Sequence, residues 1–172
     1  MHAGCYPYRR KALYSVITLP MLGILALVAV LLWNLHWLLF AGYLAAMGAT
    51  IFLQSLCCAH QRCPYMKGFC PGVGGFVVPA SKLALLWRNL ELSQRAFNTA
   101  ASVGGTLLCV IVLGPVYFIF RESVLLGVGY LVAVLVYAAV FLSRVCPVCA
   151  VRDTCPGGIA STKMGFERQP EP

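Results

Sequence analysis

Charged side chains are scarce in this sequence. Only 10% of its 172 residues are Asp, Glu, Lys or Arg, and only five residues are acidic. Hydrophobic residues make up 60% of the chain, which is more apolar surface than one small soluble core can bury. The scarcity of charge therefore excludes an ordinary soluble domain and predicts an integral membrane protein.

The stretches without charge are long. Four of them cover positions 15–33, 37–56, 100–120 and 123–143, and each is close to the ~20 residues that cross a hydrocarbon core as a helix. We therefore predict an all-α fold with four transmembrane helices. None of the five acidic residues falls inside these stretches. That absence argues against proton-coupled transport, which usually needs a carboxylate within the membrane.

The sequence also lacks the patterns of nucleotide and nucleic-acid binding. Glycines cluster at 72–75 and 157–158, but neither cluster has the strand, helix and lysine that a phosphate-binding loop requires. The net charge of +8 is explained by basic residues beside anionic lipid head groups. We therefore expect membrane lipids as a partner and no nucleic acid.

Short polar connections join the predicted helices in pairs. Residues 34–36 separate the first two helices and residues 121–122 the last two, so each pair forms a tight hairpin and both turns share one side of the membrane. All of the 13 Lys and Arg residues except Arg121 fall on the opposite side. Because basic residues favour the cytoplasm, we expect both termini and the Cys-rich segments on the cytoplasmic side of the cell (inner) membrane.

The hairpins divide the chain into three parts. Residues 1–79 comprise the first hairpin and a Cys-rich segment, and residues 99–172 the second hairpin and a second Cys-rich segment. Between them, the pattern of residues 80–98 predicts an amphipathic helix in the plane of the membrane interface, with Ser81 as its N-cap. The same order of parts in both halves suggests a parallel internal repeat.

The nine cysteines carry the chemistry of this sequence. Cys109 lies inside the third predicted helix, where a lone cysteine acts as a small hydrophobe, and the others lie on the predicted cytoplasmic side. Because that compartment is reducing, clustered thiols there favour metal ligands or catalytic groups over disulfides. The predicted metal ligands are two triads, Cys58, Cys63 and Cys70 in the first half and Cys146, Cys149 and Cys155 in the second, with Cys57 and Cys5 as further cofactor-binding candidates.

The ligand type narrows the choice of metal. Thiolates select zinc, cuprous copper or iron–sulfur clusters. Proline follows four of the cysteines, and a Cys-Pro pair closes the ligand run of bacterial ferredoxins. We therefore predict one or two [4Fe-4S] clusters. The spacing of Cys146 and Cys149 also fits a zinc knuckle, so zinc is the alternative.

Each triad is one ligand short of the four that a cubane cluster or a closed zinc site needs. Cys57, Cys5 or His60 would supply the missing ligand. Successive residues of an α-helix point about 100° apart, so Cys57 and Cys58 would serve different sites if the second helix continues through them. The negative charge of a thiolate cluster would be offset by nearby basic residues, which otherwise anchor the chain at the membrane surface: Arg62, Lys67, Arg144 and Arg152.

Three functions fit this pattern. The first, which we favour, is a membrane-anchored electron-transfer protein or subunit that relays electrons between a cytoplasmic or subunit donor and a quinone. The second is a thiol–disulfide oxidoreductase coupled to a quinone. Four membrane helices with the pair Cys146 and Cys149 resemble the quinone-reducing thiol oxidases of the vitamin K epoxide reductase type, and that resemblance implies thiol exchange. The third is binding or transport of zinc, mercury or copper, with Cys109 as the intramembrane thiol.

Overall fold

The computed structural model describes residues 8, 10–60, 65, 69, 83–87, 89, 92–149 and 151–166. This described part is helical and contains no strand. Its helices are α1 (Lys11–Leu35), α2 (Trp37–His60), α3 (Gln94–Leu113), α4 (Val116–Glu122), α5 (Val124–Val140) and α6 (Pro156–Lys163). Single turns occur at Leu85–Trp87 (3-10), Phe141–Val145 (π) and Cys146–Val148 (3-10).

Four helical segments are long and apolar enough to cross a membrane: Lys11–Leu35, Trp37–His60, Gln94–Glu122 and Val124–Val148. They match the four predicted stretches and confirm an all-helical fold with four helices of membrane length. Large apolar side chains such as Leu27, Leu125 and Leu135 remain exposed on these helices. A helix that is apolar on its outer face as well as its inner face is typical of a membrane span.

Both predicted hairpins are present, and each is closed by a single residue. His36 separates α1 from α2, and Ser123 separates α4 from α5 in an extended conformation. One buried cluster lies beside both turns: Val28, Leu32, Tyr43, Ile111, Ile119 and Tyr130. The two turns therefore share one end of the helix bundle, which we name the turn end.

The third helix of membrane length, Gln94–Glu122, is interrupted about two-thirds of the way along its length. Pro115 has no N–H and cannot bond to the carbonyl group one turn earlier, so α3 ends at Leu113 and α4 begins at Val116. The Tyr130 hydroxyl donates a hydrogen bond of 2.7 Å to the carbonyl oxygen of Val112. That bond ties α5 to the interrupted region.

The interfacial helix predicted over residues 80–98 is not continuous. Residues 83–87 form a short helical segment, Leu92 and Ser93 are not helical, and α3 already begins at Gln94. The helix cap is at Ser93, whose side-chain oxygen accepts a hydrogen bond of 3.2 Å from the N–H of Ala96. This cap starts the third long helix ahead of the predicted span. The predicted cap at Ser81 lies outside the described residues.

The end of the bundle opposite the turns holds a second buried cluster. Its members are Tyr8, Tyr14, Tyr65 and Val145, and the half-buried Cys58, Phe69 and Cys149 pack against it. Tyr8 precedes α1, Tyr65 belongs to the first Cys-rich segment, and Val145 ends the π turn. Three distant parts of the chain thus meet at this end, which we name the cysteine end.

Candidate thiol site at the cysteine end

The structure describes six cysteines, five of which belong to the predicted site. Cys57, Cys58, Cys109, Cys146, Cys149 and Cys155 are described, and no disulfide joins any two of them. Cys5, Cys63 and Cys70 lie outside the described residues. The second predicted triad is therefore seen in full, whereas the first is represented by Cys58 alone.

Consecutive tight turns bring the second triad together. The N–H of Cys149 donates to the carbonyl oxygen of Cys146 at 3.1 Å, and the N–H of Cys155 donates to that of Val151 at 2.8 Å. Cys146 is buried, with 6% of its surface exposed, and its sulfur would lie 3.7 Å from a Cβ atom added to Gly157, two positions after Cys155. These turns fold residues 146–155 into a compact loop, which we name the cysteine loop.

Proline determines where the cysteine loop begins and ends. Pro147 occupies the first turn of the 3-10 segment Cys146–Val148, and Pro156 is the first residue of α6, directly after Cys155. A proline fits the first turn of a helix because its missing N–H would have no partner there. The Cys-Pro pairs that the sequence shows therefore start helical turns immediately after two of the candidate ligands.

Side chains from outside the last long helix hold its C-terminal end. The final carbonyl groups of a helix lack partners within it, and a π turn is frequently found at functional sites. Three hydroxyl or guanidinium groups donate to the carbonyl oxygens of this turn: Ser161 to Leu142 at 2.7 Å, Arg10 to Arg144 at 2.8 Å, and Tyr8 to Val145 at 3.4 Å. The N-terminal segment and α6 are thereby fixed beside the cysteine loop.

Tyr8 stays a neutral hydrogen-bond donor in this position. Only 2% of its surface is exposed. Burial raises the pKa of its hydroxyl group well above the ordinary value, and the negative charge of a Cys149 thiolate would raise it further. Cys5 lies outside the described residues. Tyr8, three positions after it in the sequence, lies at the cysteine end.

Thiols from the first half reach the same end. α2 remains helical through Cys57 and Cys58 to His60. Cys57 lies in the neighbourhood of Cys155, and Cys58 packs against the buried cluster of the cysteine end, which Cys149 also contacts. The ring of His60 lies 4.9 Å from that of Phe97, so the His60 side chain is on the α3 side of its helix. The structure thus brings cysteines of both halves together.

The first Cys-rich segment also folds back to this end. The ring of Tyr65 lies 6.2 Å from that of Tyr8, and the ring of Phe69 lies 5.3 Å from that of Tyr14. Tyr65 follows Cys63 by two positions, and Phe69 directly precedes Cys70. Chain neighbours of the two candidate ligands Cys63 and Cys70 therefore pack at the cysteine end.

The described thiols do not form a metal site among themselves. No group of three or more His, Cys, Asp or Glu side chains in the described part of the chain is arranged to hold a metal ion. Cys109 is exposed on α3. A metal centre at the cysteine end would therefore need ligands from the undescribed residues, among which Cys5, Cys63 and Cys70 fall.

Sequence reasoning did not foresee the environment of Arg152. In the sequence it is one of several basic residues near the candidate ligands. In the structure its side chain is buried, with only 4% of its surface exposed. Its Nε donates to the Thr162 hydroxyl at 3.0 Å, and its Nη2 donates to the Phe166 carbonyl oxygen. Only its position between Cys149 and Cys155 distinguished it in the sequence.

The comparisons with known proteins identify no relative: no family model, no curated protein and no solved structure matches this chain.

Proposed function

We propose that this chain is a membrane-anchored electron-transfer protein or subunit. Its cysteine end would hold one or two cysteine-ligated [4Fe-4S] clusters at the cytoplasmic surface of the inner membrane, and would relay electrons between a cytoplasmic or subunit donor and a quinone. The observation that carries the proposal is the packing of thiols from both halves, Cys58 at the end of α2 and Cys149 in the cysteine loop, against one buried cluster at the cysteine end.

The arrangement of the chain supports a shared cofactor. Thiolates favour soft metals, and an iron–sulfur cluster needs four of them. Because the described side chains alone form no metal site, we infer that Cys63 and Cys70 complete it, and the packing of Tyr65 and Phe69 at the cysteine end supports this inference. Zinc would require the same thiols and is the alternative cofactor.

The surroundings suit electron transfer. Aromatic and apolar groups surround this end, including the fully buried Tyr14 and the almost fully buried Tyr8, and they would shield a cluster from water. An iron–sulfur cluster accepts and donates one electron at a time. Two successive electrons and two protons would convert a quinone in the membrane to the quinol.

Iron content is the direct test. The full-length chain would be purified anaerobically in detergent and analysed for iron, sulfide, visible absorption and the electron paramagnetic resonance (EPR) of the reduced protein. We expect iron and sulfide in the wild type, and loss of most of both in Cys57→Ser and Cys155→Ser. Cys109→Ser is the matched control, because Cys109 is exposed on α3, and it should retain both.

Two outcomes would contradict the proposal. One is a wild-type protein without iron. The other is equal iron content in all three variants, which would show that neither Cys57 nor Cys155 contributes to the centre. Stoichiometric zinc in a colourless protein would instead identify the alternative cofactor.

A second candidate function is thiol–disulfide exchange coupled to a quinone. It is favoured by the tight turn that joins Cys146 to Cys149, in which the N–H of Cys149 donates to the carbonyl oxygen of Cys146 at 3.1 Å. In such a reaction two thiols lose two protons and two electrons to form one disulfide bond, and a quinone takes up both to become a quinol. A metal-free protein that forms a mixed disulfide with a partner after Cys146→Ser would support this function over electron transfer by a cluster.

A further inference from the structure

The last helix, α6, has a buried side and an exposed side. On the buried side, Ser161 has no exposed surface, and its hydroxyl donates to the carbonyl oxygen of Leu142 at 2.7 Å. On the exposed side, Ile159 is 41% and Met164 is 62% exposed, and Lys163 is exposed as well. Ile159 and Lys163 are four positions apart and are therefore neighbours on the helix surface. We name Ile159, Lys163 and Met164 the outer face of α6.

Backbone contacts fix the orientation of α6. A Cβ atom added to Gly158 would collide with the carbonyl oxygen of Arg152, so α6 lies directly on the cysteine loop. At its other end, Gly165 has a positive φ of 81°, and the N–H of Phe166 donates to the carbonyl oxygen of Ser161 at 3.1 Å. This pattern is typical of a helix that is ended by a left-handed glycine. The outer face is therefore held away from the cysteine loop.

The position of α6 indicates what its outer face contacts. Leu142 belongs to the helical segment Val124–Val148, which is apolar and long enough to cross a membrane. The bond from Ser161 to Leu142 keeps α6 within about one helix diameter, ~10 Å, of the end of that segment. The head-group region of a bilayer begins where such an apolar segment ends. α6 therefore lies at the level of the lipid head groups.

The side chains of the outer face suit that level. Ile159 and Met164 carry no charge, whereas the long stem of Lys163 can lie along hydrocarbon while its ammonium group reaches a phosphate. Apolar side chains beside a basic one on the exposed side of a helix are typical of interfacial helices. The charge of the cysteine end complements an anionic surface, because its described charged residues are one acid, Asp153, and six bases: Arg10, Lys11, Arg95, Arg144, Arg152 and Lys163.

We propose that the outer face of α6 binds the surface of an anionic lipid bilayer. Ile159 and Met164 enter the boundary between head groups and acyl chains, and Lys163 pairs with a lipid phosphate. This contact holds the cysteine loop, on which α6 lies, at the membrane surface. It requires no cofactor, so its test is separate from that of the proposed function.

Photo-crosslinking identifies the molecule that touches the outer face. Benzoylphenylalanine would replace Ile159 or Met164 or, as the matched control, Asp153, which is exposed on the cysteine loop at the same end. Each full-length variant would be irradiated in the membranes of the cells that express it, and the mass added to the modified peptide would be measured after purification. We expect phospholipid adducts several times more often at positions 159 and 164 than at position 153.

Three outcomes would overturn the inference. They are protein adducts at positions 159 and 164, lipid adducts that are equally frequent at all three positions, and no adduct at either position of α6. Both substituted side chains are exposed, so the substitutions leave the buried contacts of Ser161 and Gly158 in place. Because positions 159 and 164 are tested in separate proteins, one variant that fails to fold does not prevent the comparison.

Lipid charge tests the role of Lys163. The purified Ile159→benzoylphenylalanine chain would be irradiated in vesicles of equal parts phosphatidylglycerol and phosphatidylcholine, alone and combined with Lys163→Gln or Lys163→Arg. A basic side chain near an anionic surface should enrich phosphatidylglycerol among the adducts about fivefold, which corresponds to about 1 kcal/mol. We expect Lys163→Gln to lose most of this enrichment and Lys163→Arg to keep it. The same enrichment in Lys163→Gln, or none with Lys163 present, would show that Lys163 does not face a lipid phosphate and would overturn the proposal.

Discussion

Replacing Gly158 with alanine should separate the first turn of α6 from the cysteine loop. The added Cβ would lie 2.1 Å from the carbonyl oxygen of Arg152 and 2.6 Å from its Cα. Both are backbone atoms and cannot rotate away as a flexible side chain would. Raising the shorter distance from 2.1 Å to an ordinary contact of 3.4 Å requires the two segments to move apart by about 1.3 Å.

The size of the effect follows from two opposing contributions. Forcing an extra carbon against backbone atoms that cannot rotate away costs about 2–3 kcal/mol, the upper part of the usual range, whereas alanine is about 1 kcal/mol better than glycine in a helix. The net destabilisation of the α6 contact is therefore about 1–2 kcal/mol. Such a change raises the population of the opened form about 5–30-fold.

Alkylation of Cys146 measures this opening directly. Its side chain is 6% exposed, so a maleimide reaches the sulfur mainly when α6 moves away. The rate would be followed by peptide mass spectrometry on chelator-treated protein in detergent. We expect labelling of Cys146 in Gly158→Ala to be about 5–30-fold faster than in wild type.

Gly157→Ala is the matched control. It makes the same substitution in the same turn, but its Cβ would make an ordinary contact at 3.7 Å with the sulfur of Cys146. It should label at or below the wild-type rate. If the two variants label equally fast, the contact of Gly158 with the backbone of Arg152 does not control access to Cys146, and the packing of α6 on the cysteine loop is wrong as described.

Two further predictions concern the two ends of the bundle. At the turn end, Gly127→Ala would place a Cβ 2.6 Å from the ring of Phe120 and should lower the unfolding temperature in detergent. Gly129→Ala, with nothing within 4 Å of its Cβ, should not lower it, and equal losses would contradict the tight packing of this turn. At the cysteine end, the raised pKa of Tyr8 means that its contribution to stability is complete below about pH 10 and is lost as pH rises through the higher folded-state pKa. The unfolding temperature of the wild type should therefore fall more steeply above about pH 10 than that of Tyr8→Phe, and parallel slopes would count against a buried neutral Tyr8.

The long helices could be predicted from the sequence because one strong signal determines them. Apolar runs of membrane length leave few other ways to satisfy the backbone, and all four runs are helical. Their ends are set by weaker, local interactions. The cap at Ser93 starts α3 earlier than the apolar run begins. The amphipathic pattern over residues 80–98 does not produce one continuous helix, and the backbone at Leu92 and Ser93 is not helical.

The side of the bundle on which the cysteines meet was predictable, but their neighbours were not. Two tight hairpins in sequence place the segments after α2 and after α5 at one end whatever their side chains are. The pairs of thiols that lie close together depend on the rotation of α2 about its own axis and on the turns after Cys146. Neither of these can be read from the spacing of the cysteines in the sequence. The burial of Arg152 is similar, because it results from the return of α6 over the cysteine loop.

Cys57 and Cys58 bear on whether the proposed cofactor would form one centre or two. α2 stays helical through both residues, so their side chains diverge by about 100°. Cys57 approaches Cys155, whereas Cys58 packs against the cluster that contacts Cys149. Both of these partners belong to the same cysteine loop. Two separate [4Fe-4S] clusters would require the cysteines of each half to stay apart from those of the other half. Here, two adjacent thiols of the first half lie beside the single cysteine loop of the second half. This interleaving favours a single centre shared by the two hairpins.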